Sequence, residues 1–306
     1  MFQKNKYNQI IKFYILHPFL RKCVNLFYNR LNFRQQGLIH SRLSRLFNSE
    51  DKPSTTSYWE IIFLENKIIL PLRKNAFSLD WNTALSILGH DVEVKQTYAH
   101  LIKSHEAPTL FIDVGANFGL HSLLFLSHGI QTLTFEPDVI CMKSFKDFCT
   151  LNRLEPNICG VALGDKDASV KLYYPKDDTW LGTIDTEVKK DLQQEFTLSS
   201  LKVEQRKIDN YLHLFEEHNI LIKIDAEGSE YRILQGGEKT LKKYKPKIIF
   251  ESRDDASRTN LFNFFSSHQY SIINLPLKAG GEQKLNRKQF EKSSATNFIA
   301  ISDLQD

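Results

Sequence analysis

Two short apolar strands that each end in an acidic residue, separated by a glycine turn and a helix, constrain this chain more than any other feature. Residues 111–119 read Phe-Ile-Asp-Val-Gly-Ala-Asn-Phe-Gly, and residues 132–137 read Thr-Leu-Thr-Phe-Glu-Pro. The pattern predicts a buried strand before Gly115, a helix after Gly119 and a second strand ending at Glu136. Because open α/β sheets bind ligands at the carboxyl ends of their strands, we expect a nucleotide-shaped pocket between Asp113 and Glu136.

The spacing of the glycines discriminates between two classes of nucleotide cofactor. Dinucleotide sites favour Gly-x-Gly-x-x-Gly, whereas here three residues separate Gly115 from Gly119. A carboxylate as close as Asp113 would repel a pyrophosphate, but it suits the ammonium and sulfonium of S-adenosylmethionine. Glu136 can accept hydrogen bonds from both ribose hydroxyls, and the glycines allow close approach of a ligand. S-adenosylmethionine is therefore the favoured cofactor, with a dinucleotide or an ordinary strand–turn–helix as the alternatives.

From residue 109 onward the chain alternates strand and helix, which is typical of a doubly wound α/β sheet. Strands are predicted at 109–114, 131–135, 157–163, 220–225, 247–251, 270–275 and 297–302. Helices are predicted at 120–128, 139–153, 208–217, 230–244 and 257–268. The last strand follows a polar loop without a helix, so it can pair antiparallel to its predecessor. We expect a Rossmann-like, seven-stranded mixed sheet with helices on both faces, the architecture of class I methyltransferases.

Two segments precede that domain. Residues 1–49 contain nine Lys or Arg and no Asp or Glu, and Leu16, Leu20, Val24, Phe27 and Leu31 recur at helical spacing. This basic amphipathic arm suits an anionic membrane surface, packing against protein, or, less well, nucleic acid. Residues 50–108 form a predicted cap, with a hairpin at 58–72 and a mixed helical stretch at 82–105. The S-adenosylmethionine-binding domain is predicted at 109–306.

Composition bears on the cellular compartment. The four cysteines, Cys23, Cys141, Cys149 and Cys159, show no metal-binding spacing and suit a reducing cytoplasm better than a disulfide framework. Apolar runs before residue 50 are broken by charges and Pro18, so no transmembrane helix is expected. We expect a cytoplasmic protein, peripheral at the inner membrane surface if residues 1–49 bind lipid; the oligomeric state is left open.

A second acidic strand end lies within residues 220–230, Ile-Leu-Ile-Lys-Ile-Asp-Ala-Glu-Gly-Ser-Glu. Lys223 and Asp225 point to the same face of the predicted strand. Asp225 is the first candidate for the general base of a methyl transfer to a hydroxyl, and Glu227 is the second. Lys223 completes the predicted catalytic set. Glu230 suits a capping role at the start of the next helix.

A metal ion and a histidine are further candidates at this edge of the sheet. Glu251 ends a neighbouring strand, so Asp225 and Glu251 could share a divalent metal ion. The sequence does not decide whether such an ion is bound. His121 follows the glycine turn and has either a surface or a functional role.

These motifs resemble the FkbM family of methyltransferases over about residues 109–251. The most specific part is Lys-Ile-Asp-Ala-Glu-Gly-x-Glu at 223–230, followed by Leu-Gln-Gly at 234–236. The resemblance implies S-adenosylmethionine-dependent O-methylation, often of sugar hydroxyls or polyketides. It places Asp225 and Glu227 on the family's acidic motif and leaves the role of His121 open, since an aromatic residue is more usual there. It implies cofactor contacts through Asp113, Gly115, Asn117, Gly119 and Glu136, and their neighbours Ala116 and Pro137 complete the predicted set.

The acceptor is expected to be a saccharide or glycolipid, bound by loops at the ligand edge. Residues 164–201, with Trp180 as a stacking candidate, and residues 276–296 are the expected acceptor loops. Two alternatives remain at this point. One is RNA methylation, suggested only by the basic arm and disfavoured because no motif for base amino groups is present. The other is a non-catalytic cofactor-binding protein in an assembly or at a membrane.

Overall fold

The computed structural model describes residues 2–47, 57–72, 77–175, 181–252, 255–277 and 283–304. The chain forms two compact units. The first comprises Met1–Gln96 and Asp147–Leu154, and the second comprises Thr97–Lys146 and Glu155–Asp306. Trp180 and residues 278–282 of the expected acceptor loops lie outside the described residues.

The first unit contains helices and a hairpin. Its elements are α1 (Phe2–Leu16), α2 (Pro18–Tyr28), α3 (Phe33–Leu43), β1 (Ser57–Phe63), β2 (Asn66–Leu72), α4 (Phe77–Gly89) and the start of α5 (Val92–Lys103). Strands β1 and β2 pair antiparallel, which confirms the predicted hairpin. Edge-to-face contacts link Tyr28 to Trp59, Trp59 to Trp81 and Trp81 to Phe47, and all four side chains are buried. Aromatic burial of this kind builds the core of the unit.

None of the five residues of the predicted apolar stripe in the basic arm is buried. The buried residues of α2 are Arg21, Asn25 and Tyr28, whereas Leu16 and Phe27 of the expected stripe are exposed. Leu31 falls beyond α2, which ends at Tyr28. Two polar side chains and a tyrosine, rather than the apolar stripe, occupy the buried face of α2.

The second unit contains the remaining elements. They are β3 (Leu110–Val114), α6 (Leu120–Leu126), β4 (Gln131–Phe135), α7 (Val139–Asn152, whose last turns belong to the first unit), β5 (Ile158–Cys159), β6 (Ala162–Leu163), β7 (Ala168–Pro175), α8 (Thr186–Glu195), β8 (Leu198–Arg206), a 3₁₀ helix (Ile208–Leu214), β9 (Ile220–Ile224), α9 (Glu230–Gln235), α10 (Glu238–Tyr244), β10 (Lys247–Glu251), α11 (Asp255–Ser267), β11 (Tyr270–Asn274), α12 (Arg287–Glu291) and β12 (Asn297–Ser302).

A seven-stranded sheet, flanked by helices, organises this second unit in the order β11-β12-β10-β9-β3-β4-β5. The pairs from β10 through β5 are parallel, and β12 runs antiparallel to both β10 and β11. The fold class predicted from the sequence, a Rossmann-like mixed sheet with a reversed last strand, is confirmed. Since β3, β4, β9 and β10 are adjacent and parallel, their carboxyl ends share one edge.

Two predicted elements are divided in the structure. The strand predicted at 157–163 is split, and β6 joins β8 and β7 in a separate three-stranded sheet. The helix predicted at 230–244 ends at Gln235, and α10 begins anew at Glu238. Asp209 accepts hydrogen bonds from the backbone N–H groups of Lys239 and Thr240, at 3.1 and 2.9 Å. This carboxylate caps the N-terminus of α10, which explains why the helix restarts there.

In the described part of the chain, no helix combines the length and the apolar character needed to cross a membrane.

Candidate active site

The glycine turn after β3 is tied to the end of β4. The backbone N–H groups of Gly115 and Ala116 both donate to the carbonyl of Phe135, each at 3.1 Å. Gly115, Asn117 and Gly119 all have positive φ angles, of 73°, 51° and 66°. This left-handed backbone turns the chain from β3 directly into α6.

The space beside these two glycines is filled by the protein itself. A Cβ atom on Gly115 would lie 2.0 Å from the carbonyl oxygen of Asp225, and one on Gly119 would lie 2.3 Å from the ring of Phe145. The sequence suggested that the glycines make room for a ligand. The structure shows that they make room for the end of β9 and for α7, so they bring Asp225 close to the turn.

Substitution of Gly115 tests this packing, with Gly129 as a matched control. Gly129 has a φ of 71°, close to that of Gly115, but no atom of the described residues lies within 4 Å of its Cβ position. Both alanine variants carry backbone strain, and only Gly115→Ala also displaces the Asp225 carbonyl. We expect Gly115→Ala to lower the free energy of unfolding by about 2 kcal/mol more than Gly129→Ala, measured by denaturant melts. Equal losses would show that the Asp225 contact is unimportant.

Glu136 lies just beyond β4 and joins two loops. Its Oε2 accepts the backbone N–H of Asn117 at 2.7 Å, and its Oε1 accepts that of Asp138 at 2.7 Å. Burial raises the pKa of Glu136 to about 7, although the two N–H groups act in the opposite direction. Each carboxylate oxygen has a second lone pair, so these bonds leave acceptor capacity for ribose hydroxyls.

The loop after Glu136 contains features that the sequence analysis missed. Asp138 caps α7 by accepting the N–H groups of Ile140 and Cys141, at 2.7 and 3.1 Å. Val139 and Ile140 in the first turn are exposed, whereas helical periodicity would assign two apolar residues at this position to the core. The acidic residue directly before an apolar run was the available signal for the cap.

Asp113 is fully buried near the end of β3. Its Oδ2 accepts the backbone N–H and the hydroxyl of Ser122, at 3.1 and 2.8 Å, and its Oδ1 has no hydrogen-bond partner among the described residues. Burial raises the pKa of Asp113, while the nearby Lys223 ammonium and the Ser122 bonds oppose that shift. A buried acceptor without a partner is unusual in a folded protein and is suited to a cationic donor.

Lys223 and Asp225 form an ion pair at the end of β9. The Lys223 Nζ atom lies 2.8 Å from Asp225 Oδ2, and the lysine side chain is 3% exposed against 27% for the aspartate. Strand register places Lys223 beside Asp113 on β3. The buried ammonium therefore lies near two carboxylates, and it holds Asp225 while leaving part of that carboxylate accessible. Lys223, predicted to be catalytic, is positioned to orient Asp225.

The loop from Ala226 to Gly228 is held by Glu230. Its Oε1 accepts the backbone N–H groups of Ala226 and Gly228, at 2.9 and 3.3 Å. Glu230, expected to cap the following helix, thus binds the loop that leads into α9, and burial raises the pKa of Glu230 to about 7. Thr183 donates its hydroxyl to the carbonyl of Glu227 at 2.8 Å. The segment at 164–201, predicted as an acceptor loop, thus contacts the acidic loop directly.

Three half-buried carboxylates meet at this edge of the sheet. Asp225, Glu227 and Glu251 each place one oxygen within 4.8 Å of the other two. The sequence paired Asp225 with Glu251, and the structure adds Glu227, whose positive φ of 44° turns the loop back. Such a cluster can accept hydrogen bonds from several hydroxyls, or it can provide oxygen ligands for a divalent cation.

His121 and Arg258 make further hydrogen bonds in this region. His121 makes a hydrogen bond to the Tyr98 hydroxyl through Nδ1 at 2.8 Å. Arg258, missed by the sequence analysis, is buried and donates to five backbone carbonyls, those of Ser252, Phe290, Glu291, Ser293 and Ala295. It connects the residue after Glu251 to the loop that precedes β12.

The comparison with known families decides the identity of the fold and its general chemistry. The methyltransferase FkbM domain matches residues 113–272, just over half of the chain. The chain belongs to the FkbM family of methyltransferases. The match begins at Asp113 and includes Glu136, the acidic loop and Glu251. The predicted resemblance is confirmed, whereas the roles of the individual site residues stay predictions.

Several solved structures are similar to this chain at low sequence identity. An FkbM methyltransferase from Methylobacillus flagellatus is 17% identical with a TM-score of 0.41, and the match covers 74% of this chain and 54% of that one. The present chain thus matches about half of that structure. A ribosomal protein L11 methylase from Lactobacillus delbrueckii is 14% identical (TM-score 0.35; 70% and 79% covered). The N-terminal domain of human METTL16, solved with S-adenosylhomocysteine, is 16% identical (TM-score 0.33; 72% and 71% covered). No curated protein matches the chain.

Proposed function

We propose that this FkbM-family protein transfers a methyl group from S-adenosylmethionine to a hydroxyl of a saccharide or glycolipid. The observation that carries the proposal is the meeting of Asp225, Glu227 and Glu251 at the ligand edge of the sheet. A polyhydroxylated acceptor presents several O–H donors, and three carboxylates provide matching acceptors.

The residues of the pocket fit the cofactor by their chemistry. S-adenosylmethionine supplies an electrophilic methyl group on a cationic sulfur. The Oδ1 of Asp113, which has no partner in the described part of the chain, is an acceptor for an ammonium, and Glu136 retains acceptor capacity for hydroxyls. Val139 and Ile140 offer exposed apolar surface next to Glu136 for a planar base. These features support a cationic nucleoside better than an anionic dinucleotide.

Methyl transfer to a hydroxyl needs an aligned acceptor oxygen and a destination for its proton. In the proposed mechanism Asp225 accepts that proton, and Lys223 fixes the orientation of its carboxylate through the 2.8 Å ion pair. Glu227 and Glu251 bind neighbouring hydroxyls and hold the acceptor in place. The loop containing Thr183 closes one side of this acidic cluster.

The same carboxylates could also hold a divalent cation. Asp225, Glu227 and Glu251 have the hard oxygen ligands that Mg²⁺ or Mn²⁺ prefers, and a bound ion would acidify a coordinated hydroxyl. Titration calorimetry with Mn²⁺, on the unaltered protein and on Glu251→Gln, measures this directly. Saturable binding lost in the variant supports a metal site, and absence of binding assigns the cluster to the acceptor alone.

The proposed function is tested by comparing glycans and lipids from cells with and without the protein. We expect a saccharide or glycolipid species that is heavier by one methylene unit only when the protein is present. The purified protein should then methylate the lighter species with labelled S-adenosylmethionine. A methylated RNA in place of a methylated sugar would overturn the assignment of the acceptor.

A further inference from the structure

Helix α2 buries polar side chains and exposes apolar ones, the reverse of an ordinary surface helix. Its buried positions are Arg21, Asn25 and Tyr28. Its large exposed side chains are Phe19, Leu26 and Phe27, which are 68%, 64% and 62% exposed. Folding of this unit alone gives no reason to leave two phenylalanines and a leucine in water.

Polar contacts hold the helix in this orientation. Asn25 accepts the backbone N–H of Glu60 on β1 at 3.0 Å and donates to the carbonyl of the same residue. One turn later, Asn29 donates to the Glu60 carbonyl and accepts the N–H of Ile62, both at 3.0 Å. The buried Arg21 donates to the carbonyl of Ile15 at the end of α1, at 2.9 Å. The two asparagines satisfy the edge of β1, so the opposite face of α2 must point away from the hairpin.

The exposed face of α2 is cationic as well as apolar. Lys22 is exposed at helical spacing from Phe19 and Leu26, and Arg30, two residues beyond the end of α2, is exposed as well. Within the described part of the chain, neither Lys22 nor Arg30 pairs with an acidic side chain. Helix α1 shows a similar stripe of exposed side chains, in which Tyr7, Ile10 and Phe13 recur every three residues and Tyr14 lies four residues after Ile10.

The exposed large hydrophobic side chains are concentrated in one short region of the chain. Nine of the sixteen large hydrophobic side chains that are exposed in the described residues lie between Tyr7 and Leu38. The same region belongs to the 49 residues that carry nine basic and no acidic side chains. An apolar patch of this extent on a folded protein indicates an interaction surface.

We propose that the exposed faces of α1 and α2 dock on an anionic lipid surface. Aromatic and aliphatic side chains would enter the boundary between headgroups and acyl chains, while Lys22, Arg30 and their basic neighbours meet the lipid phosphates. A second copy of the chain is a poorer occupant, because a symmetric contact would bring two segments of high positive charge together without acidic partners. The inference is independent of the methyl acceptor.

The test measures binding of the full-length protein to vesicles of phosphatidylcholine alone and of phosphatidylcholine mixed with phosphatidylglycerol. We expect sedimentation with the anionic vesicles only, weakening as salt rises from about 50 to about 500 mM. The double variant Leu26→Ser/Phe27→Ser should reduce partitioning at least about ten-fold. Lys22→Glu/Arg30→Glu should reduce it by about 30-fold or more.

Leu304→Ser is the matched control, because Leu304 is similarly exposed but belongs to the other unit. It should bind vesicles like the unaltered protein. Since all the substituted residues are exposed, melting temperatures should be unchanged, and S-adenosylhomocysteine binding serves as a second check of folding. Equal binding to neutral and anionic vesicles, or no binding, would overturn the proposal. A dimer in sedimentation velocity that Leu26→Ser/Phe27→Ser dissociates would instead assign the surface to a second copy.

Discussion

Asp225→Asn is expected to slow methyl transfer by about 100- to 10,000-fold, while affinity for S-adenosylhomocysteine changes by less than about two-fold. The substitution keeps the size of the side chain and an oxygen that can accept from Lys223. It removes the negative charge that accepts the proton of the acceptor hydroxyl. Lys223 retains Asp113 as a neighbouring carboxylate, so the strand end should keep its structure.

The measurement requires rate and binding on the same preparation. Single-turnover transfer from labelled S-adenosylmethionine gives the chemical step, and titration calorimetry with S-adenosylhomocysteine gives the affinity. Glu204→Gln is the control, since Glu204 forms a surface ion pair with Arg206 in the same unit. It should change neither quantity. If the Asp225→Asn protein transfers methyl groups at the full rate, the proton acceptor must instead be Glu227 or Glu251. If deletion of the gene and the Asp225→Asn variant have different phenotypes, the protein has a role beyond catalysis.

The strands that carry the site were predictable from the sequence to within one residue at either end. The site is carried by four buried parallel strands, β3, β4, β9 and β10. Each is a short run of mostly apolar residues with an acidic residue at or next to its carboxyl end. That combination is rare outside the ligand edge of an α/β sheet. The division of residues 157–163 into two strands was not predictable from the sequence. The second of them, β6, pairs with β8, a half-exposed strand in which apolar and polar residues alternate only weakly.

The acidic residues of the site were predictable, but their surroundings were not. Asp113 is engaged by Ser122 on the following helix, and Glu136 by backbone groups of two different loops. These contacts depend on how the turns fold, which periodicity does not describe. The position of Glu227 beside Glu251 depends on a left-handed residue within the loop. The orientation of α2 likewise follows from two asparagine side chains that bind the edge of β1.

Glu136 provides the second large prediction, a cofactor affinity that depends on pH. Because burial raises the pKa of Glu136 from 4.5 to about 7, the free protein is largely protonated there below pH 7. Hydrogen bonds from two ribose hydroxyls favour the ionised carboxylate, so binding must release this proton at low pH. We expect the Kd for S-adenosylhomocysteine to be flat above about pH 8 and to rise up to ten-fold per unit below pH 7.

The Glu136→Gln variant should bind more than about 100-fold more weakly at pH 8, because two charge-assisted hydrogen bonds are lost. It should also lose the pH dependence. Glu230→Gln is a demanding control, since burial raises the pKa of Glu230 to about 7 as well and its carboxylate also accepts two backbone N–H groups. The raised pKa values of Glu136 and Glu230 also affect folding stability. Each group stabilises the fold fully below about pH 4.5, and this stabilisation is lost as the pH rises through about 7. Both variants should therefore flatten the pH dependence of unfolding, and only Glu136→Gln should flatten that of binding. If the affinity of Glu136→Gln still depends on pH, the carboxylate of Glu136 does not bind the cofactor.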